Sequence, residues 1–271
     1  GKAAPYSALT IVSTAAWGLG YFGMPHILLR FMAIEDEKKL KLSRRVATIW
    51  VVISLFVAVF IGVIGYTMSK VGALEMLTGS NSETIIVKIS ALLSQHGVIF
   101  ALLAGVILAG ILASTMSTSD SQLLAASSAV SSDILGAFRK DSSNKNGSMA
   151  AARITLLVIS VVAAFIARNP DSSVFAIVSF AWAGFGAAFG PVVLFSLFWK
   201  RTNKWGALAG MVCGGSMVFI WKYLIRPLGG IWNIYELLPA FLIACAAIVI
   251  VSLLTPKPSK EIEEEFDRVA Q

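Results

Sequence analysis

Apolar residues in this chain fall into long blocks divided by short polar connections. Seven blocks reach about 18 residues or more, the length that carries a helix across a hydrocarbon core of roughly 30 Å. They are 7–33, 46–68, 97 to about 118, 149–167, 172–199, 205–225 and 235–254. In the third, helical character is expected to continue to 137. The stretch 84–94, TIIVKISALLS, is too short to span and predicts a short amphipathic helix at the interface. The tail 255–271, TPKPSKEIEEEFDRVAQ, opens with two prolines and turns acidic, which predicts a solvated end with one short helix. The expected fold class is an all-α polytopic membrane protein with about seven transmembrane helices, in one transmembrane domain over 1–271.

Composition agrees with this reading. The chain is 57% hydrophobic and only 14% charged, against about 25% charged in a soluble domain. Its net charge of +7 raises nucleic acid as a partner, but the placement of the basic residues excludes it. Sixteen of the 22 lysines and arginines belong to Arg30 and the loop 34–45, the loop 139–153, the loop 200–204, and the tail. Lys2, Lys70, Lys88, Arg168, Lys222 and Arg226 fall on the opposite side. That asymmetry assigns the basic loops and the C-terminus to the cytoplasm, and Gly1 to the outside. Asn146-Gly147-Ser148 fits a glycosylation pattern but falls on the cytoplasmic side, so it is read as chance. Cys213 and Cys245 lie in separate apolar runs and read as small core residues, not a disulfide or metal pair. The chain starts GKAAPYSALT, with neither an initiator methionine nor signal-peptide features, and reads as one whose beginning is missing.

The first block carries its weakest helix-forming stretch in its middle. Residues 17–26 read WGLGYFGMPH, with Gly18, Gly20, Gly23 and Pro25 inside eight positions. Each glycine costs a helix interior about 1 kcal/mol and a proline about 3, and in lipid the released backbone groups need partners. A helix broken near the bilayer midplane presents free N–H and C=O groups to a zwitterion, as discontinuous transporter helices do. Trp17 and Tyr21 are spaced i, i+4 beside the break. They read either as walls of one cavity suited to a small apolar ring or as interface anchors. His26 is read as a hydrogen-bonded structural histidine, and Arg30 as a residue that snorkels to the cytoplasmic edge.

The third block turns polar partway along: Ser114, Thr115, Ser117, Thr118, Ser119, Asp120, Ser121 and Gln122 occupy eight of nine positions. One small-residue row runs Gly105, Ala109, Ala113, Ser117; another runs Gly110, Ser114, Thr118. Such rows let helices approach closely. A single Ser or Thr most often bonds its own i−4 carbonyl. As a cluster, Ser114, Ser117 and Thr118 share one face. Two hydroxyls plus a carbonyl released by helix distortion make a neutral hard-oxygen site, suited to Na⁺ and not to a divalent ion that needs carboxylates. Asp120 either supports that ion electrostatically or faces the cytoplasmic vestibule. The fifth block, FAWAGFGAAFGPVV, has Gly184, Gly186, Gly190 and Pro191, and reads equally as a bending gate or as a close-packed helix.

Three segments together resemble the sodium:solute symporter family: AWGLGYFGMPHILLRFMA, MSTSDSQLL and SFAWAGFGAAFGPVVLFSLFWKRTNKWGALAGMVCGG. The last is similar to a family signature running from Ser196 to Gly214, through Leu197, Arg201, Gly206, Ala207 and Gly210. The resemblance covers nearly the whole chain. It implies a five-plus-five inverted-repeat core in which the first five spans here form the second repeat, the last two are peripheral, and the first repeat lies upstream. It implies that Trp17, Tyr21 and Pro25 belong to the substrate helix, here for L-proline, and that Ser117 and Thr118 bind Na⁺ with the Ser114 carbonyl as a third ligand. Arg30 matches a position tied to sodium coupling. The missing repeat is expected to supply the other ion ligands, including an aspartate. The implied activity is Na⁺-coupled import of proline by alternating access, in the inner (plasma) membrane of a bacterium. The alternatives are symport of another small amino acid or carboxylate, or a transporter-like sensor module. Only 17 residues follow the last span, too few for a kinase or relay domain if Gln271 is the true end. An enzyme has no residues to carry it: no His/Asp/Glu cluster in the spans has metal or triad spacing.

Overall fold

A computed structural model of the chain describes residues 7–134, 145–168 and 173–269. The described residues form ten α-helices joined by short 3₁₀ and π turns. They are α1 (Ala8–Ala15), α2 (Pro25–Met32), α3 (Leu40–Lys70), α4 (Ile85–Ser94), α5 (Val98–Ser128), α6 (Lys145–Ile166), α7 (Val174–Phe198), α8 (Lys204–Ile220), α9 (Leu237–Leu254) and α10 (Lys260–Val269). Six helical stretches among the described residues are long and apolar enough to cross a membrane. The seventh expected span, 7–33, is long enough as a run but is divided, as its glycines and proline require. The helical continuation expected over 135–137, and the basic residues Lys2, Arg139 and Lys140, lie outside the described residues.

The chain divides into two compact units, residues 1–32 with 175–271 and residues 33–174. In the second, α3 is 31 residues long, about 46 Å at 1.5 Å per residue, so its basic N-terminal turns extend beyond a bilayer core. Gly65 gives α4 room: a Cβ there would collide with the Ile85 side chain. Lys88 of α4 pairs with Glu75 at 2.7 Å. This pulls the Glu75 carboxyl below the ordinary carboxylate range, through the hydrogen bond first and the lysine's charge second. Gly97, at φ +112°, makes the turn from α4 into α5 with a backbone only glycine adopts easily.

In the first unit, α8 lies along α9 through one small-residue row. Cβ atoms added at Gly206, Gly210 and Gly214 would run into Ser252, Ile248 and the Ala187 carbonyl respectively. Lipid provides no hydrophobic drive between helices, so close backbone approach of this kind supplies the packing. Asn203 caps α8, its Oδ1 accepting from the Gly206 N–H at 2.9 Å. Its Nδ2 donates to Thr255 Oγ1 at 2.7 Å and to the Pro256 carbonyl at 2.8 Å. Arg201 Nη2 donates to the Thr255 carbonyl at 2.8 Å, and Lys200 pairs with Asp267 of α10 at 2.5 Å. The loop 200–204 and the tail therefore meet at one end of this unit, the arrangement expected if both face the same side of the membrane. Cys213 and Cys245 are free and half-buried.

Candidate functional site

The break in the first block is an eight-residue 3₁₀ segment, Ala16–Gly23, followed by Met24 in extended conformation at φ −85°, ψ 113°. Runs of 3₁₀ helix beyond three or four residues are uncommon and mark strain or a hinge. Ser7 starts the run by capping α1, accepting from the Thr10 N–H at 3.1 Å. Pro25 restarts it at the first position of α2, where its missing N–H does no harm. The buried Met24 carbonyl accepts from the N–H groups of both Ile27 and Leu28 at 3.0 Å.

The three glycines do different things. A Cβ at Gly18 would meet nothing within 4 Å. A Cβ at Gly20 would lie inside the Trp182 indole, and one at Gly23 would fall 2.8 Å from Gly186 Cα and 2.9 Å from Gly190 N of α7. The break is thus a crossing point, where the run rests backbone to backbone on α7. Gly186 and Gly190 are taken up by this contact and by Leu237 and Phe241 of α9, which favours close packing over a freely bending gate for the expected fifth span.

Trp17 lies among three near-parallel rings. Its centroid is 5.4 Å from Phe175, 5.5 Å from Trp182 and 5.9 Å from Tyr235, with interplanar angles of 14°, 18° and 16°. Trp182 Nε1 donates to the Trp17 carbonyl at 3.0 Å, so one carbonyl of the break is held by protein. Tyr21 presents its ring to Trp182 edge-on at 4.8 Å and is 51% exposed. Trp17 and Tyr21 therefore flank a common indole, one stacked on it and one perpendicular to it. Pro25 is exposed. The aromatic walls and the exposed tyrosine hydroxyl suit a small ring-bearing zwitterion. Trp182, Tyr235 and Phe175 were not among the residues expected here. Trp182 did leave a signal, as the one tryptophan of α7, set between Ala181 and Ala183. Tyr235 left none, being 218 positions from Trp17 in the sequence.

Ser114, Ser117 and Thr118 are exposed on α5, within the other unit. Thr118 Oγ1 donates to the Ser114 carbonyl at 3.2 Å, Thr115 Oγ1 to the Ile111 carbonyl at 2.9 Å and Ser121 Oγ to the Ser117 carbonyl at 2.9 Å. These are the i−4 bonds that isolated hydroxyls make. The helix is unbroken at Ser114, so no carbonyl there is released by distortion; the helix loosens only at the π turn Ala129–Ile134. The Ser114 carbonyl accepts from both the Thr118 N–H and the Thr118 hydroxyl, which takes up its two lone pairs, while the neutral hydroxyl oxygens of Ser117 and Thr118 keep lone pairs for a ligand. That donor set fits a monovalent cation and leaves its shell incomplete. Asp120 is exposed in the same stretch, and Arg30 is exposed in the last turn of α2.

The model of the sodium:solute symporter family matches residues 4–214. Among curated proteins, a sodium/proline symporter of Haemophilus influenzae is 41% identical over 262 residues, 96% of this chain and 51% of the relative. An osmoregulated proline transporter of Bacillus subtilis is 39% identical over 254 residues, 94% of this chain and 50% of the relative. A sodium/proline symporter of Escherichia coli is 39% identical over 259 residues, 95% and 50%. The chain spans about half the length of these relatives. No solved structure matches it significantly.

Proposed function

Because the chain belongs to the sodium:solute symporter family, we propose that it works as the second-repeat half of a transporter that imports L-proline together with Na⁺. It is a multi-pass protein of a bacterial membrane. In this reading α1 to α7 carry the second repeat, α8 and α9 are peripheral, and the loop 200–204 and the C-terminal tail face the cytoplasm. The observation that carries the proposal is the break at Ala16–Gly23, where Trp17 and Tyr21 stand around Trp182. Proline is a compact ring with a carboxylate and an ammonium. Flat aromatic walls hold the ring, and the polar ends of a broken helix hold the charges. Pro25 fixes where α2 restarts and so where its N-terminal end points. Na⁺ is held at the Ser117 and Thr118 hydroxyls, with further ligands from the first repeat. Bound Na⁺ favours the outward-open state and raises proline affinity, and by linkage bound proline raises Na⁺ affinity by the same factor.

The test is uptake of radiolabelled proline by the full-length protein in proteoliposomes. Uptake that collapses when the inward Na⁺ gradient is replaced by K⁺ supports the proposal. Uptake indifferent to Na⁺ overturns the coupling. Uptake unchanged by excess unlabelled proline but abolished by another amino acid or a small carboxylate overturns the substrate.

A further inference from the structure

Glu236 is only 2% exposed and belongs to neither group of residues above. It immediately precedes α9. Arg226 Nη1 donates to its Oε2 at 2.9 Å, and Arg226 Nε donates to Asn233 Oδ1 at 3.0 Å. A buried carboxylate requires such a partner, since removing one side leaves an uncompensated charge. Gly229 and Gly230, at φ +74° and +58°, turn the segment between them back on itself. The connection from α8 to α9 is therefore a loop closed at its base by one ion pair.

The residue this loop delivers is Tyr235, next to Glu236. Tyr235 is 9% exposed and is tied in three ways. Its N–H donates to Ser13 Oγ at 3.1 Å, its hydroxyl donates to the Ser179 carbonyl at 2.6 Å, and its ring stacks on Trp17. Ser13 and Trp17 lie i, i+4 across the junction of α1 with the 3₁₀ segment, while Ser179 belongs to α7. Tyr235 thus bridges the turn just before the break and the helix the break rests on.

We propose that Tyr235, held in place by the Arg226–Glu236 pair, is a positioning residue that fixes the plane of the Trp17 ring for the substrate. The proposal rests on the reading of Trp17 as a substrate wall. Cutting the pair sends Glu236 towards water, withdraws Tyr235 and leaves Trp17 with two of its three ring partners. The cost then falls on substrate affinity, with turnover unaffected.

The test is proline uptake kinetics at saturating Na⁺, with the full-length protein in proteoliposomes. Glu236→Gln and Arg226→Met are each expected to raise the proline KM roughly five- to twentyfold with Vmax held within about twofold. The double variant is expected to be no worse than the poorer single, because both cut the same link. Tyr235→Phe keeps the stack but loses the Ser179 bond, and should raise KM about two- to fourfold. Ile248→Val, a packing change in α9 against Gly210, should lower the amount of folded protein without moving KM. If Glu236→Gln or Arg226→Met fails to insert, Tyr235→Phe carries the test. A KM rise at unchanged Vmax supports the proposal, and a loss of Vmax at unchanged KM overturns it. Trp17→Ala separates the two readings. If it raises KM while the pair variants and Tyr235→Phe do not, the positioning role fails and the substrate site stands. If Trp17→Ala itself leaves KM unchanged, the substrate reading fails and takes the positioning role with it.

Discussion

The same sequence device, a row of small residues every fourth position, has two outcomes in this chain. In α8 the row Gly206, Gly210, Gly214 is filled, with each glycine meeting α9 or the Ala187 carbonyl. In α5, Gly105 and Gly110 start two comparable rows, yet a Cβ at either would meet nothing within 4 Å. The helices follow suit: 22% of the most apolar window is buried in the stretch Lys204–Leu228 that contains α8, against 6% in Val98–Ser131, which contains α5. Since lipid-exposed helices gain nothing from apolar contact alone, a small-residue row is a statement about a partner backbone. The filled row finds its partner within the first unit. The open row lies on the helix that carries the proposed ion ligands, where the proposal calls for further ligands from the first repeat.

The largest expected effect is at the crossing of the break with α7. Gly20→Val forces a branched side chain into the Trp182 indole, and overpacking of this kind costs about 1–3 kcal/mol or more. Uptake by the full-length protein should fall to roughly a few per cent, with less folded protein in the membrane. Gly18→Ala, two residues away in open space, should leave uptake within about twofold. Equal effects at both positions would mean that the glycines act only through helix propensity.

A smaller effect is expected at Asn203, which caps α8 and ties it to the end of α9. Asn203→Ala should cost about 1–2 kcal/mol and lower the detergent-solubilised Tm by roughly 2–4 °C, while the proline KM stays unchanged. A shift in KM would link the filled row directly to the substrate site.

The smallest effect concerns pH. Glu75 is held below the ordinary carboxylate range by Lys88. A depressed folded pKa means that the pair's contribution is present above the unfolded value, and is lost as pH falls through the folded one. An NMR titration of the Glu75 carboxyl in nanodiscs should show a midpoint below the usual value of about 4.3, returning to it in Lys88→Met. A midpoint unmoved by Lys88→Met would remove the ion pair from the description of this unit.

Much of the fold could be read in the sequence because block length and loop charge are local. The break at WGLGYFGMPH was legible for the same reason: glycine and proline act on their own backbone. What could not be read was the use of the break. Gly20 and Gly23 look like helix breakers in sequence, but in the structure they are surfaces for Trp182, Gly186 and Gly190, more than 160 positions away. Trp17 reads in sequence either as a cavity wall or as an interface anchor; its stacking on Phe175, Trp182 and Tyr235 could not be read there. Ser114, Ser117 and Thr118 read as one oxygen face, and which hydroxyl bonds its own helix, as Thr118 does to the Ser114 carbonyl, could not be read. Each difference arises where the partner is remote in sequence, or where a local hydrogen bond satisfies a polar group before any ligand arrives.

In the proposed function, substrate and ion are held by different parts of the chain and coupled by linkage. The most direct measurement crosses the two in full-length protein: the proline KM at saturating Na⁺, and the Na⁺ activation constant at saturating proline, for Trp17→Ala and for Ser117→Ala/Thr118→Ala. This division of sites predicts that Trp17→Ala raises the proline KM more than about tenfold with Na⁺ activation shifted less than about threefold, and that the double hydroxyl variant shows the reverse. Normal sodium activation in the Ser117→Ala/Thr118→Ala variant, with that protein inserted at wild-type level, would contradict it.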